Sequence, residues 1–336
     1  MSSAGSPSCL IVGGGISGLL AGTLLQDAGF SVQILDKGRG IGGRLATRRV
    51  ESPSGYAVFD YGAQYFTAQT LEFKSIVNTW LKQQVIQQWS RGFAVEKGKV
   101  KGTELAQYRG RVSNRHIAKH LAESLPVHTA TRVTRLDYRD DNWQVFTETG
   151  AQFNSDILLL TPPVPQILDL LVHSSIILNS TDQNKLQSVH YESCFALLAV
   201  LESESTVPDP GGVWLPEPLS WIADNSKKGI SPDAYALTIH AGPQYSHERF
   251  DADEEVIIQE MLDAAQPFSG SSIISTQLHR WRFAKPVLTF GEPFLFTETP
   301  GPLFMAGDSF EGTRVEGAAI SGIRAAEAVI EKHKND

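Results

Sequence analysis

The chain has 336 residues, 41% hydrophobic and 20% charged, enough for one large or two ordinary globular domains with a sizeable core. A net charge of −8 excludes bulk attraction to nucleic-acid backbones or anionic membranes. Two cysteines, Cys9 and Cys194, exclude a disulfide framework and fit a reduced, cytoplasmic setting. No apolar run approaches the roughly 20 residues of a membrane span. The small, polar residues 1–8 lack the basic start of a secretory signal.

Along the chain, "SCLIVGGG" reads as a buried parallel strand because its apolar run is continuous. A helix is predicted from Ser17 to Ala28, with Gly29 as its stop, and "SVQILDK" is the second strand of a βαβ unit. "VSNRHIAKHLAESL" reads as a helix. The next 24 residues, "VHTATRVTRLDYRDDNWQVFTETG", give two alternating strands around a turn at Asp140–Asn142. "DILLLTPPVPQ" is a buried strand ended by Pro162 and Pro163. From there to about residue 298 the texture changes to strands such as "YALTIHAG", scattered prolines and one acidic helix, "DADEEVIIQEMLDAA". The final stretch from Pro302 returns to strand, glycine loop and long helix.

Gly13, Gly15 and Gly18 satisfy G-x-G-x-x-G between the first strand and its helix. Gly13 permits the tight turn, Gly15 lets a pyrophosphate approach the backbone, and Gly18 lets the helix pack on the strand. With Ile16 and Ser17 they form the helix start, whose free N–H groups favour phosphate. Asp36 closes the second strand, where a carboxylate accepts ribose hydroxyls. FAD and NAD look alike at this site. A second cluster, Gly42-Gly43-Arg44, follows Asp36 and Lys37 and separates them. It brings another flexible backbone and a bidentate guanidinium to the same pyrophosphate, an extension that an ordinary NAD domain does not need. Arg48 and Arg49 read as a solvated basic face.

"DKGRGIGGRLATRR" resembles the GG-R extension of FAD-dependent amine oxidases and their relatives. "FDYGAQYFTA" and "LHRWRFAKP" resemble the renalase-like branch of that superfamily, and "FMAGDSFEGTRVEGAAISG" resembles its second flavin motif. The resemblance covers nearly the whole chain and is weakest from about 166 to 275. It implies that Asp36 binds the adenosine ribose, that Arg44 sits at the phosphates and that the Val133 backbone meets the adenine. Asp308, after Gly307, would hold ribityl or phosphate groups. Glu316, Gly317 and Ala318 would start a helix facing the flavin N1/O2 edge, where its N–H groups stabilise the charge of reduced flavin. Ala63, Gln64 and Tyr65 would lie near the isoalloxazine. No cysteine lies near the C-terminal motif, so the FAD is expected to be non-covalent.

The implied architecture is α/β. A discontinuous Rossmann-type FAD-binding domain (1–68, 107–165, 299–333) carries an inserted α+β substrate domain (69–106, 166–298) around a mixed or antiparallel sheet. Substrate-pocket candidates are Tyr65, His240, Arg280, Trp281 and Arg282; the two arginines flanking Trp281 are candidates for substrate phosphates. His116 and His120 have metal-ligand spacing, but position 117 is Ile rather than the glutamate of HExxH, and no metal is expected. Cys9 reads as an inert packed thiol.

The expected function is an FAD-dependent oxidoreductase in which a small substrate gives hydride to the flavin and O₂ or another acceptor reoxidises it. The renalase-like resemblance implies isomeric dihydronicotinamide dinucleotides as donors. Amine oxidation, prenyl-lipid desaturation or reduction, and a non-catalytic flavin-binding redox sensor remain open alternatives. Neither nucleic acid nor a membrane span is expected, and the oligomeric state is not legible.

Overall fold

The computed structural model describes residues 6–95 and 100–335, so residues 1–5 of the polar N-terminal stretch lie outside it. In chain order, β1 (Ser8–Val12), α1 (Ile16–Asp27) and β2 (Ser31–Leu35) open the chain. A hairpin of β3 (Thr47–Ser52) and β4 (Gly55–Asp60) follows, then α2 (Leu71–Lys82), β5 (Ile86–Val95), β6 (Val100–Gly110) and α3 (Asn114–Leu121). Next come β7 (Val127–His128), β8 (Val133–Arg139), β9 (Asn142–Thr147), β10 (Gln152–Ser155) and β11 (Ile157–Leu160), then α4 (Val164–His173) and α5 (Ser180–Gln187). The last third holds β12 (Tyr191–Leu201), β13 (Gly212–Trp214), β14 (Leu219–Asp224), β15 (Tyr235–Ala241), α6 (Pro243–Glu248) and α7 (Glu254–Ser269). It ends with β16 (Ile273–Pro286), β17 (Leu295–Thr297), β18 (Leu303–Met305) and α8 (Val315–Asn335).

These elements form two compact units. The first comprises residues 1–43, 118–190 and 286–336; the second comprises 44–117 and 191–285. The α/β class and the discontinuous Rossmann-type architecture are as the sequence predicts.

The first unit is built on a six-stranded sheet of order β17-β18-β11-β1-β2-β7. All its neighbours run parallel except β17 against β18. The parallel strands are covered on both faces, which is why they read as continuous apolar runs. Ile11, Ile34 and Leu159 pack with Leu19 and Leu25 of α1 and with Ala325, Ala326 and Val329 of α8. An antiparallel meander, β8-β9-β10, is appended. Its first turn has Asp140 and Asp141 both at positive φ (52° and 56°), the backbone of a tight hairpin turn, where Asp is tolerated.

The second unit is built on a seven-stranded mixed sheet of order β16-β12-β15-β14-β13-β5-β6. Side chains alternate along each strand, so each face has its own cover. Ile257, Met261 and Ala265 of α7 pack on Phe195, Leu197, Leu237 and Ile239. On the other face, Ala57 and Phe59 of the β3–β4 hairpin pack on Leu198, Val200 and Ala236. This packing explains why residues 44–68, grouped by the sequence with the dinucleotide-binding segments, belong to the second unit. No helix among the described residues is long and apolar enough to cross a membrane.

In the first unit α8 lies against α1 at a bare glycine: a Cβ on Gly322 would stand 2.3 Å from the Ser17 carbonyl oxygen. Backbone cannot yield as a flexible side chain can. Gly322→Ala should therefore lower stability by about 1–3 kcal/mol, the usual cost of overpacking. Denaturant unfolding checks this, and an unchanged midpoint would contradict the tight helix contact.

Candidate functional site

In a parallel sheet the carboxyl ends of the strands are where helix N-termini and loops meet. Here that edge is assembled by direct contacts. Thr161, just after β11, has its hydroxyl 3.0 Å from the Val12 carbonyl and 3.1 Å from that of Gly13. A Cβ on Gly13, whose φ is +112°, would meet the same hydroxyl at 2.4 Å. A Cβ on Gly18 would lie 2.1 Å from the Gly13 carbonyl oxygen, so the packing role predicted for Gly18 is sterically strict.

Gly15 differs. Its φ of −80° suits any residue, and no atom lies within 4 Å of a Cβ placed there. The fold does not require this glycine, since a side chain here would enter open space. α1 has no side-chain cap at this end. Ile16 and Ser17 are buried in its first turn, and the Ser17 hydroxyl, 4% exposed, has no hydrogen-bond partner. An orphaned buried hydroxyl beside an uncapped helix start fits an anionic group such as phosphate.

Asp36 joins this turn to the second glycine cluster. One carboxylate oxygen accepts from Gly14 N and the other from Gly38 N, each at 2.6 Å. Each oxygen keeps a second lone pair for a hydroxyl. Gly42 N donates to the Gly14 carbonyl at 2.8 Å, and a Cβ on Gly43 would lie 3.5 Å from Gly15 Cα, so the second cluster docks on the first. Positive φ at Gly42 (110°) permits the approach. Lys37 reaches away and donates to Gln166 Oε1 at 2.8 Å. The segment before Val133 pairs with this region, with Ala130 N donating to Gly38 O and Thr131 N to Asp36 O.

The same edge receives β18. Gly307 follows it with φ +140° and donates its N–H to Ser321 Oγ at 2.8 Å. Asp308 is buried. A Cβ on Gly317 would meet the Gly312 carbonyl oxygen at 2.4 Å, so the loop is folded against the α8 start, which contains Glu316, Gly317 and the buried Ala318. The structure thus brings together Gly13–Gly18, Asp36, Gly43, Gly307 and Ser17 with α8 at one edge of one unit.

In the second unit, Arg44 donates from Nη1 to the carbonyls of Phe283 (3.3 Å) and Ala284 (3.4 Å). Its own carbonyl accepts from Ala63 N at 2.8 Å. Gln64 is buried, and Tyr65 sits among Trp89, Phe93, Trp214 and Trp221. Arg49 is exposed over Tyr56, whereas Arg48 is half-buried, 5.0 Å over the Tyr61 ring and bonded to Gln277.

The five substrate candidates are not one group. Trp281 stacks on Tyr61 (5.4 Å), approaches His279 (4.3 Å) and donates from Nε1 to the Tyr61 carbonyl at 2.9 Å. His240 Nε2 meets the same carbonyl at 3.1 Å, so that nitrogen carries the proton. Arg280 instead bonds Glu254 (3.3 Å) and the Ala252 carbonyl (3.0 Å), and Arg282 lies 4.2 Å over Phe250. Strand alternation puts residues 280 and 282 on the α7 face and 279 and 281 on the other. The two arginines therefore do not flank the tryptophan in space. Residues that sequence reading missed here are Tyr61, His279 and Arg48. The quoted "FDYGAQYFTA" carried the first, and period-two alternation about Trp281 would have found the second.

Elsewhere, His120 of α3 faces Glu123, just past the helix end, at 3.8 Å. Burial pushes the thiols of Cys9 and Cys194 up to about 12, so neither is an activated thiolate.

Burial lowers His240 to about 4, with the Lys228 charge adding to the effect, and lowers His279 to about 4 with help from Arg48. Both rings are neutral at pH 7. Between pH 6.5 and about 4 the unfolded chain takes up protons that the folded chain does not, so stability falls as pH drops through that window. His240→Gln keeps a donor for Tyr61 and should flatten this limb by about 2 kcal/mol, discounted for the solvent that reaches the ring. Chemical unfolding at a series of pH values checks it; an unchanged slope would contradict the buried neutral imidazole.

Comparison with known proteins agrees with this geometry. Residues 11–80 match a model described as an NAD(P)-binding Rossmann-like domain, and residues 90–330 match one described as flavin containing amine oxidoreductase. Renalase from Mus musculus is 27% identical over 338 residues, covering 94% of this chain and 96% of that protein. A fatty acid isomerase from P. acnes, described as CLA-producing, shares the fold with a TM-score of 0.69 at 13% identity, covering 98% of this chain and 99% of that one. A redesigned putrescine oxidase triple mutant has the same TM-score, 0.69, at 12% identity, covering 97% and 99%. The chain belongs to the flavin containing amine oxidoreductase family as a renalase-like, flavin-dependent oxidoreductase.

Proposed function

We propose that the flavin is non-covalent FAD and that the enzyme oxidises isomeric dihydronicotinamide dinucleotides. The FAD assignment is supported by a carboxyl edge made to take a dinucleotide: the open space at Gly15, the orphaned Ser17 hydroxyl, the uncapped α1 start and the Asp36 carboxylate. Val133, Gly307, Asp308 and the α8 start at Glu316, Gly317 and Ala318 take the roles the resemblance gives them. Lys37 stands beside the ribose acid. Arg44, Ala63, Gln64 and Tyr65 keep theirs in the second unit. Two free cysteines fit a reducing compartment such as the cytoplasm.

One observation carries the substrate choice. Beside Tyr61 and Trp281, burial holds the His240 and His279 rings neutral, and the Arg48 guanidinium lies 5.0 Å over the Tyr61 ring. Such a surface of neutral and cationic groups with Tyr61 and Trp281 suits a planar, neutral or anionic ring and disfavours a protonated amine. When bound, a flavin would supply the hydride acceptor, with O₂ or another acceptor taking the electrons in turn. The chain's own part is to orient the donor. No acid–base pair is needed for a donor that is already an electron-rich dihydropyridine.

Stopped-flow reduction decides between donors. Isomeric dihydronicotinamide dinucleotides should bleach the flavin about 100-fold faster than ordinary NAD(P)H, whose hydride is presented from another ring position. Fast reduction by an amine alone would overturn the substrate assignment.

The glycines give a second test. Gly15→Ala should cost at most about 1 kcal/mol of apoprotein stability, since its Cβ enters open space. It should weaken FAD binding at least about 10-fold by filling the space a pyrophosphate would take. Gly18→Ala should instead destabilise the apoprotein by about 1–3 kcal/mol. Melting and FAD titration of both variants check the contrast. Equal stability losses, or unaltered FAD affinity in Gly15→Ala, would contradict it.

A further inference from the structure

Between β4 and the aromatic cluster, the chain segment from Asp60 to Gln64 has every carbonyl held by a side chain. Thr238 Oγ1 donates to Asp60 O at 3.0 Å. Gln64 Nε2 donates to Asp60 O (2.6 Å) and Gly62 O (3.1 Å). His240 and Trp281 hold Tyr61 O, at 3.1 and 2.9 Å. Asn114 Nδ2 donates to Ala63 O at 2.6 Å, and Lys228 Nζ donates to Gln64 O at 2.8 Å.

Lys228 is the unusual member of this set. The other holders are neutral, which suffices to fix a turn. Its ammonium also bonds Asp60 Oδ2 at 2.9 Å, lies 4.7 Å over the Trp89 ring, and both partners of the ion pair are 0% exposed. The other Asp60 oxygen accepts from Thr47 Oγ1 (2.6 Å) and Asn114 N (3.0 Å). Arg109 is a second buried cation nearby, packed against Gly229 beside Lys228. A buried ion pair of this kind is seldom the most stable filling of its volume, since apolar residues of similar size often do as well or better. The pair therefore needs a purpose other than stability.

We propose that Lys228, with Asp60 as its buried counter-ion, is a positioning residue that holds the Gln64 carbonyl and so sets the Gly62–Tyr65 strip for flavin reduction. The proposal rests on the reading that assigns Ala63, Gln64 and Tyr65 to the isoalloxazine. Lys228 touches no reacting atom. It acts through the peptide between Gln64 and Tyr65, whose plane is fixed by the carbonyl it holds. Burial lowers the Lys228 pKa, and the Asp60 carboxylate opposes that shift.

The informative variant is Asp60→Asn/Lys228→Met, which removes both charges at nearly constant volume and avoids leaving one ion unpaired. Amide hydrogen exchange on the apoprotein reads the strip directly: protection at residues 61–66 should fall about 10-fold while β12 and β15 stay as in the parent. In the FAD-loaded enzyme the visible flavin band should shift, and the limiting rate of reduction should drop about 10-fold or more with donor affinity unchanged within about twofold. Parent-like exchange at 61–66, a parent-like band and rate despite faster exchange, or a double variant that does not fold would each overturn the proposal, the last by assigning the pair to stability. Failure of the underlying reading shows differently: the parent protein itself would take up no FAD, and the proposal would fall with it.

Discussion

Everything at the carboxyl edge of the parallel sheet depends on one steric constraint: backbone must touch backbone where α1 leaves β1. Gly18 stands so close to the Gly13 carbonyl that a single methyl group would not fit, and Thr161 clamps Gly13 from β11. That contact draws the helix start tight against the strand and aims its first N–H groups beyond the sheet, where they have no intrahelical partner. Gly322 repeats the device against Ser17 and brings α8 alongside α1. The second glycine cluster, through Gly42 and Asp36, is fastened to the same turn. Two helix starts, a carboxylate and an orphaned hydroxyl then share one edge, and the partial positive charge of the helix starts favours a phosphate-bearing cofactor.

The second unit does a different job. Its sheet is buried on one face by α7; the other carries, beside the apolar contacts of the β3–β4 hairpin, polar and aromatic groups held by hydrogen bonds to carbonyls. His240 and Trp281 share the Tyr61 carbonyl, Asn114 and Lys228 hold those of Ala63 and Gln64, and burial keeps both imidazoles neutral at physiological pH. Preorganised groups of this kind cost no rearrangement when a ligand arrives. The proposed donor, an electron-rich ring, would ask for orientation more than for proton transfer.

The dinucleotide-binding half was legible because its signals are local. Continuous apolar strands, a helix with a glycine stop and an acid at a strand end each occupy a few adjacent residues, and all recur in the structure. The stretch from Thr47 to Gly110 was not legible as strands. β3 has no fully buried residue, and β5 and β6 are broken by bulges, so neither shows clean alternation. "HRWRFAKP" misled for a related reason: read as a cluster it surrounds Trp281 with arginines, whereas an extended strand sends both arginines to the face opposite the tryptophan. The Asp60–Lys228 pair spans 168 residues of sequence, and nothing in either neighbourhood announces the other. Pairings of that range come from tertiary packing alone.

The central claim is that the glycine-lined edge holds FAD. Its most direct test is mass analysis of the chromophore released by acid from the purified protein. The account predicts a yellow protein that yields intact FAD at close to one equivalent per chain and leaves no flavin on the polypeptide. FMN in its place, flavin retained on the chain after denaturation, or a folded colourless protein that ignores added FAD would contradict it.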